Sequence, residues 1–508
     1  MSSKKDKEIE IEMINTKENN KPNSKNRTSP KKAAKKTSKK KISKSTKTLM
    51  VFICIAVIFM CCGIFFLVSN KAGKPVKSKD TQPTTTEKVV IKDFVGIKQA
   101  EYISTLEEYF TYGTSLCIRG SISAEDLTGI DINTIDKLSL VLKKAYTNED
   151  GSIVEEDIEE FSLYTELNEN KISYSSYEKI NEGISLENFT DNEYCMLLKV
   201  TYNDGNTEYC TFDYEGKMEP LCYYTITKNG INQKIDMTLE KFEDKPYISF
   251  NVAESELPED VYDIVLDPGH GGNDPGAVNG SYNEAVLMLD YALDIKAALE
   301  KEGYKVALTR DGTEDPNEKM AYTMYNENGR VNVACSTNAK FCLSLHLNSN
   351  AVQLSRGGIQ IYYTYRGSES FAKNMVENIV EASGTYISPM LAFRVSDGVY
   401  TRAFSQSDID SSRQDAVNDG YEPYNMTTDT DYYFMIRELG GKATNAYVDG
   451  RNARYGSNRY RDSRNGIESC IIEFGFISVD DDLNHILNNK DKYIEGLVNG
   501  INDWVKTN

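Results

Sequence analysis

The sequence is poor in the residues that commonly bind metals. Histidine occurs three times in 508 residues, at His270, His346 and His485. Three of the ten cysteines lie in the apolar segment 49–68 and seven follow it, and no two have the Cys-x-x-Cys spacing. Cysteine-based zinc binding is therefore not predicted. The odd number of cysteines after residue 68 leaves at least one thiol free or in an intermolecular bond.

Residues 49–68 lack any charged side chain and are rich in Ile, Val, Phe, Met and Cys. At about 1.5 Å per residue, a helix of this length matches a hydrocarbon core about 30 Å thick. A cleaved signal peptide is the alternative. Against it, the 48 preceding residues are rich in Lys, and no Ala-x-Ala-like cleavage site follows. We therefore predict an uncleaved transmembrane helix at 49–68.

The charge distribution predicts the orientation of this helix. Residues 1–47 contain 16 Lys/Arg and 5 Asp/Glu, a net charge of +11, whereas the rest of the chain carries −30. The positive-inside rule places the N-terminus in the cytoplasm and the chain after residue 69 outside the cell. Residues 1–48 are predicted to be a disordered basic tail that contacts anionic lipid. The expected localisation is thus the cell membrane, and no nucleic-acid partner is predicted.

Two linkers and one domain are predicted between the membrane and the C-terminal region. Residues 69–93 are rich in Lys, Thr, Pro and Ser and form a flexible linker. Residues 94–252 begin with a short helix, predicted over 101–112, and continue as short strands typical of a β-sandwich. Their tyrosines suit either a carbohydrate-binding surface or ordinary packing in a spacer, so the role of this domain is left open. Residues 253–261 form an acidic linker.

Residues 262–508 alternate between strand and helix patterns, which predicts an α/β fold with a mixed sheet and helices on both faces. The apolar stripe Met288, Ala292, Ile295 and Leu299 marks the buried side of the first helix. Strands are predicted at 263–267, 305–310, 341–346, 358–363 and 470–473, and helices at 284–302, 326–337, 371–383 and 492–506.

Four candidate site residues lie at the ends of these elements. His270 follows the first strand, His346 ends the third, Glu473 ends the last, and Glu284 begins the first helix. Sites in open α/β sheets form beyond the carboxyl ends of the strands, and two imidazoles with one carboxylate are a common ligand set for catalytic zinc. The alternative is that each is an ordinary polar loop residue. His485 lies in a polar helix and is predicted to be a surface residue.

The C-terminal region resembles the zinc-dependent N-acetylmuramoyl-L-alanine amidases of the amidase-3 family. The resemblance is carried by Glu284, by Ala292 eight residues later, and by the segments 264–277, 303–310, 329–332, 343–348, 357–363 and 472–478. It implies that His270, Glu284 and His346 bind one Zn²⁺ and that Glu473 is the catalytic carboxylate. It also implies that the substrate is peptidoglycan, cleaved at the amide between N-acetylmuramic acid and L-Ala. Asn348 is predicted to contact or position the substrate.

The sequence departs from the family pattern at three places. Val479 and Asp482 replace an Asn and a Glu, which puts the local geometry in question. The segment 394–466 is longer than a compact family member needs, and its composition predicts a polar loop, either a substrate wall or lid or a plain surface insertion. Its arginines, such as Arg461 and Arg464, could place positive charge near the site. The alternative functions are a catalytically silent wall-binding or regulatory protein and a zinc peptidase or deacetylase.

Overall fold

A computed structural model describes most of the chain from residue 103 onward. The described residues are 103–123, 131–147, 153–168, 170–214, 218–227, 231–242, 245–318, 326–350, 356–418, 420, 426–446 and 460–507. The predicted basic tail 1–48, the predicted transmembrane helix 49–68 and the predicted linker 69–93 therefore lie outside the described residues. Within the described ranges, no helix has both the length and the apolar character needed to cross a bilayer.

The first half of the described chain, residues 103–255, is named here the β-module. It is built almost entirely of strands, together with a 3-10 turn at Ile132–Thr134. Its strands are β1 Ser104–Tyr112, β2 Ser115–Ser123, β3 Ile135–Thr147, β4 Ile153–Ser162, β5 Tyr164–Asn168, β6 Lys171–Ser175, β7 Ile184–Ser185, β8 Asn192–Tyr202, β9 Thr207–Cys210, β10 Phe212–Asp213, β11 Leu221–Tyr224, β12 Asn232–Phe242 and β13 Lys245–Ser255.

Two sheets of the β-module face each other across one apolar core. One sheet has the order β10-β1-β2-β6-β5, and the other has the order β11-β12-β13-β8-β3-β4. Side chains of both sheets, such as Leu106 and Ile118 from the first and Leu140 and Phe250 from the second, meet in the same buried cluster. The predicted sandwich-like arrangement is therefore present. The last strand continues to Ser255, three residues into the predicted linker 253–261.

The helix predicted over 101–112 is wrong, because Ser104–Tyr112 is strand β1. This strand pairs antiparallel with β2, for example Tyr109 with Ile118. Tyr109 is buried in the core between the two sheets, and Phe110 is buried in a second cluster with Ile180 and Ala443, so both faces of the strand are covered at this point. Contacts with a neighbouring strand, rather than local helix propensity, decide its conformation.

The second half of the described chain contains both strands and helices. Its strands are β14 Ile264–Pro268, β15 Val278–Asn279, β16 Tyr282–Asn283, β17 Val306–Leu308, β18 Phe341–Asn348, β19 Gln360–Tyr363, β20 Arg394–Ser396, β21 Val399–Thr401, β22 Asn465–Gly466 and β23 Glu468–Phe476. Its helices are α1 Glu284–Lys301, α2 Arg330–Ser336, α3 Ser370–Ser383, α4 Gln406–Asn418, α5 Phe434–Leu439, α6 Asp480–Asn488 and α7 Lys490–Thr507.

A seven-stranded mixed sheet organises this half, in the order β17-β14-β18-β23-β19-β21-β20. Strands β17, β14, β18 and β23 are mutually parallel, whereas β19 runs antiparallel to β23. One face packs on α1, α3 and α7 through residues such as Leu345, Ile472, Met288, Met375 and Leu497. The opposite face packs on α2 and α5. The predicted mixed sheet with helices on both faces is therefore confirmed.

The segment 394–466 is more ordered than the polar loop that its composition predicts. Strands β20 and β21 extend the main sheet beyond β19. Helix α5 packs on the sheet, where Tyr433 joins Tyr362 and Tyr400 in a buried aromatic cluster. The buried Asp431 accepts hydrogen bonds from Thr364 Oγ1 at 2.7 Å and Tyr365 N at 3.1 Å. The prediction of a polar loop is thus wrong for these parts of the segment.

The β-module is joined to the main sheet through strand β22. Thr111 N donates to Arg464 O at 2.7 Å, and Gly113 N donates to Gly466 O at 3.0 Å, so β22 pairs parallel with β1. The guanidinium carbon of Arg464 lies 3.9 Å from the ring centre of Tyr109, and Arg464 also donates to Tyr214 Oη at 3.0 Å. Arg464 therefore faces the β-module, and its predicted place near the site is wrong.

Candidate metal and catalytic site

The loop that follows β14 presents His270 in an unusual backbone conformation. His270 has φ of 62°, a left-handed conformation that side chains other than Gly rarely adopt. Arg310 stabilises this loop by donating to Pro268 O and Gly269 O, each at 2.8 Å, and it also donates to Ala285 O at 2.6 Å. One buried arginine thus holds the His270 loop against the first turn of α1.

Glycine is needed at position 269 because the loop passes directly over His346. A Cβ at Gly269 would lie 2.3 Å from His346 Cε1, closer than two such atoms can approach. The absence of a side chain at Gly269 therefore allows the two histidine rings to come together. Their centres are 5.1 Å apart, and their planes are inclined by 74°.

Glu284 lies at the first position of α1, where Asn283 caps the helix by accepting from Val286 N at 2.9 Å. Two backbone groups fix the buried carboxylate of Glu284: Ala277 N donates to Oε2 and Leu347 N donates to Oε1, both at 3.0 Å. The helix N-terminus also favours a negative charge at this position. Glu284 is therefore held as an oriented carboxylate between the two histidines.

The three predicted metal ligands converge on one point. Glu284 Oε2 lies 3.1 Å from His270 Nε2, and Glu284 Oε1 lies 2.9 Å from His346 Nδ1. One ligand atom from each residue lies within 4.8 Å of the others. Zinc bonds of about 2.0–2.1 Å in tetrahedral geometry put donor atoms roughly 3.3 Å apart. Both the donor types and their spacing therefore fit a zinc ion held by three protein ligands.

The electrostatics of the group match its geometry. Burial alone would lower the pKa of His270, but the carboxylates of Glu284 and Asp274 outweigh it and raise that pKa to about 9. Burial alone would raise the pKa of Glu284, but the two histidines hold it well below its ordinary value. Burial lowers the pKa of His346. The negative charge of Glu284 between the two imidazoles therefore favours a positive charge in the cluster, either a proton or a metal cation.

Asp274 is a member of the site that the sequence analysis missed. Its Oδ2 lies 3.2 Å from His270 Nδ1. A carboxylate on the far ring nitrogen fixes the tautomer and the orientation of a metal-binding histidine, which leaves Nε2 of His270 facing Glu284. The signal in the sequence was a carboxylate four residues after His270, within the loop His-Gly-Gly-Asn-Asp.

Glu473 lies beside the three predicted metal ligands. It pairs with His346 in the register of the parallel strands β23 and β18. Its side chain is buried, and its Oε2 has no hydrogen-bond partner among the described residues. Burial, together with the negative charge of Glu284, raises the pKa of Glu473 well above its ordinary value. A buried carboxylate with a free oxygen next to a metal-binding group is suited to proton transfer.

The remaining two predictions have different outcomes. Asn348 is buried at the end of β18, where its Nδ2 donates to Gln360 Oε1, and its role toward a substrate stays a prediction. His485 is not a plain surface residue, because it is half-buried in α6 and its Nδ1 lies 3.1 Å from Tyr493 Oη. The third histidine thus contributes to the packing of α6 against α7.

Known proteins are similar to a part of this chain. The germination-specific N-acetylmuramoyl-L-alanine amidase of Bacillus subtilis (strain 168) is 32% identical over 122 residues, which make up 23% of this chain and 52% of the relative. The sporulation-specific N-acetylmuramoyl-L-alanine amidase of the same strain is 38% identical over 86 residues, or 17% of this chain and 31% of the relative. The chain thus spans about half the length of the first relative and about a third of the second.

A solved structure also aligns with about half of the chain. The CwlD amidase from Clostridioides difficile, in complex with the GerS lipoprotein, aligns with 22% identity and a TM-score of 0.32, covering 49% of this chain and 100% of that one. The family match includes His270, Glu284 and His346, whereas Glu473 lies beyond it. Residues 264–405 match Amidase_3, the N-acetylmuramoyl-L-alanine amidase family.

Proposed function

We propose that this protein is a zinc-dependent N-acetylmuramoyl-L-alanine amidase that hydrolyses the amide between N-acetylmuramic acid and L-Ala in peptidoglycan. The observation that carries the proposal is the convergence of His270, Glu284 and His346 next to Glu473. The match of residues 264–405 to the amidase family supports the choice of this amide over other substrates.

Each side chain of the site has a distinct part in the proposed reaction. His270, Glu284 and His346 hold one zinc ion, and Asp274 orients His270. When bound, zinc supplies Lewis-acid polarisation of a carbonyl group and makes water more acidic. Glu473 takes a proton from the attacking water as general base and returns it to the leaving amine as general acid. Its buried position and its unpartnered Oε2 support this role.

The proposed setting is the outer side of the cell membrane. The uncharged segment 49–68, with the basic tail before it, supports a single-pass anchor that leaves the β-module and the site outside the cell. Peptidoglycan is then the partner of the outer part of the chain, and the lipid bilayer is the partner of residues 49–68.

Digestion of purified peptidoglycan by the full chain in detergent tests the proposal. The expected result is release of new N-terminal L-Ala, which stops when a chelator removes zinc and returns when zinc is restored. Release of other amino termini would indicate a peptidase, and release of acetate would indicate a deacetylase. Binding to peptidoglycan without any release by the zinc-loaded protein would indicate a catalytically silent protein.

Replacement of Glu473 by Ala separates the roles of the two glutamates. We expect Glu473→Ala to bind zinc like the wild type and to lose cleavage. The exposed Glu377 on α3 provides a matched control, and Glu377→Ala should cleave at the wild-type rate. Loss of zinc from Glu473→Ala would instead mean that Glu473 is a ligand.

A further inference from the structure

A hydrogen-bonded bridge of two side-chain amides crosses strand β23 next to Glu473. Strands β18 and β19 flank β23 on its two sides. Asn348, at the end of β18, donates from Nδ2 to Oε1 of Gln360, at the start of β19. Gln360 is 2% exposed and Asn348 is 3% exposed, so the bridge is buried.

The register of the strands places this bridge beside the catalytic carboxylate. Glu473 pairs with His346 on one side and with Gln360 on the other. Directly paired residues on neighbouring strands project to the same face, with Cβ atoms about 4.5–5.5 Å apart. Glu473 is therefore bordered by the metal ligand His346 on one side and by the amide of Gln360 on the other.

Both amides of the bridge are fixed in orientation by further hydrogen bonds. Gln360 Nε2 donates to Ser388 Oγ at 3.2 Å, and Asn348 Oδ1 accepts from Ser349 N at 2.7 Å. A side-chain amide has two N–H donors. Asn348 uses one N–H in the bridge, and Gln360 uses one N–H toward Ser388. Among the described residues, the second N–H of each amide therefore has no acceptor.

The unused groups beside Glu473 complement a secondary amide. Such an amide offers one carbonyl acceptor and one N–H donor. The remaining N–H groups of Asn348 and Gln360 match the carbonyl, and the unpartnered Oε2 of Glu473 matches the N–H. Buried polar groups without partners are costly in a folded protein, and a bound amide would supply the missing partners.

We propose that the Asn348–Gln360 bridge binds and orients the scissile amide of the substrate against Glu473. Gln360 is then a substrate-positioning residue. The inference rests on the proposed amidase function and identifies the side chains that recognise the scissile amide. Donors fixed in advance toward a carbonyl oxygen stabilise the charge that develops there during attack.

Steady-state kinetics of three variants test the bridge. Gln360→Met and Asn348→Leu keep the side-chain size and remove the hydrogen-bonding groups. We expect each to lower kcat/KM per bound zinc by about 100-fold, and the double variant to be no worse than the poorer single variant, because the two amides act as a unit. Gln414→Met, on the exposed surface of α4, is the matched control and should be unchanged.

Three outcomes of this experiment would overturn the proposal. One is wild-type kcat/KM per bound zinc in Gln360→Met. Another is a double variant whose loss is the product of the two single losses. A purely structural role would lower the melting temperature and the active fraction while leaving KM of the active molecules unchanged, and that result also counts against the bridge.

Binding measurements separate failure of the bridge from failure of the proposed function. The probe is N-acetylmuramoyl-L-alanyl-D-isoglutamine, which contains the amide, added to zinc-loaded Glu473→Gln protein. We expect Gln360→Met in this background to raise Kd about 10-fold, about 1.4 kcal/mol. Equal Kd values would overturn the bridge even if the wild type cleaves peptidoglycan. Absence of cleavage by the wild type would overturn the proposed function, whatever the Kd values show.

Discussion

His346 and Glu473 occupy paired positions on the adjacent parallel strands β18 and β23. Their side chains therefore project from the same face of the sheet, while the residues on either side of each, such as Leu345 and Ile472, enter the apolar core beneath. The strand register alone thus places the predicted metal ligand His346 next to Glu473, the proposed proton-transfer group. A shift of one residue in this pairing would bury one of them in the core.

Asp274 should determine how tightly His270 holds the metal. Asp274→Asn keeps the size of the side chain but removes the charge that faces His270 Nδ1. Loss of such an outer carboxylate typically weakens metal binding by about 10–100-fold, and we expect a change in this range in a zinc titration against a competing chelator. The exposed Asp410 of α4 is the control, since Asp410→Asn should bind zinc normally. Equal affinities of the two variants would show that Asp274 does not orient His270.

Gly269 should be intolerant of even one added methyl group. Its Cβ would collide with the ring of His346 at 2.3 Å, so Gly269→Ala must displace either the loop or the ligand. We expect the variant to fold but to retain little zinc, as measured by metal analysis after gel filtration. Gly280→Ala is the control: its φ of 60° strains an alanine, but a Cβ there meets nothing within 4 Å, so this variant should keep its zinc. Full zinc content in Gly269→Ala would contradict the close approach of the two ligands.

The four main site residues could be predicted because each stands at the end of a strongly patterned strand or helix. Asp274 could not, since one carboxylate in a Gly- and Pro-rich loop is usually a turn residue. Asp482, which departs from the family pattern, is held by backbone donors: its carboxylate accepts from Phe476 N at 2.9 Å and from Gly358 N at 2.7 Å. Such contacts join distant segments, and local sequence patterns do not report them.

The two wrong predictions of local structure, the helix over 101–112 and the polar loop over 394–466, have the same physical origin. Leu106, Tyr109 and Phe110 are spaced as on a helix, yet their partners on β2 and across the sandwich make Ser104–Tyr112 a strand. In the segment 394–466, Tyr400 and Tyr433 stand among polar residues, and for this reason the composition predicts a polar loop. Their burial depends on Tyr362 of the main sheet, a contact that only the tertiary structure provides.

Stability should fall with rising pH because of Glu468. Burial raises the pKa of this carboxyl group from 4.5 to about 8, although Asn181 donates to it. The folded protein therefore keeps a proton that the unfolded chain releases above pH 4.5. The free energy of unfolding consequently decreases between pH 4.5 and about 8 and is level above that range, with a total loss of several kcal/mol.

Glu468→Gln isolates this contribution. Denaturant unfolding at pH 5 and pH 8.5 should show a smaller loss of stability in the variant than in the wild type, because the glutamine side chain has no proton to release. Glu377→Gln, at an exposed position of α3, should follow the wild type at both pH values. Parallel pH profiles for the wild type and Glu468→Gln would mean that Glu468 is ionised in the folded protein.

Arg464 should couple the β-module to the strand that carries Glu473. It donates to Tyr109 O at 2.9 Å and stacks on the Tyr109 ring, four residues before β23 begins. Arg464→Gln removes this cation–π contact and the charged hydrogen bonds, so we expect a loss of about 1–3 kcal/mol in the free energy of unfolding. Arg461→Gln is the control. The side chain of Arg461 is 46% exposed, and within the described residues its ion pair is with the exposed Asp462. If both variants unfold at the same denaturant concentration as the wild type, the backbone pairing of β1 with β22 suffices to join the two halves, and the arginine adds nothing measurable.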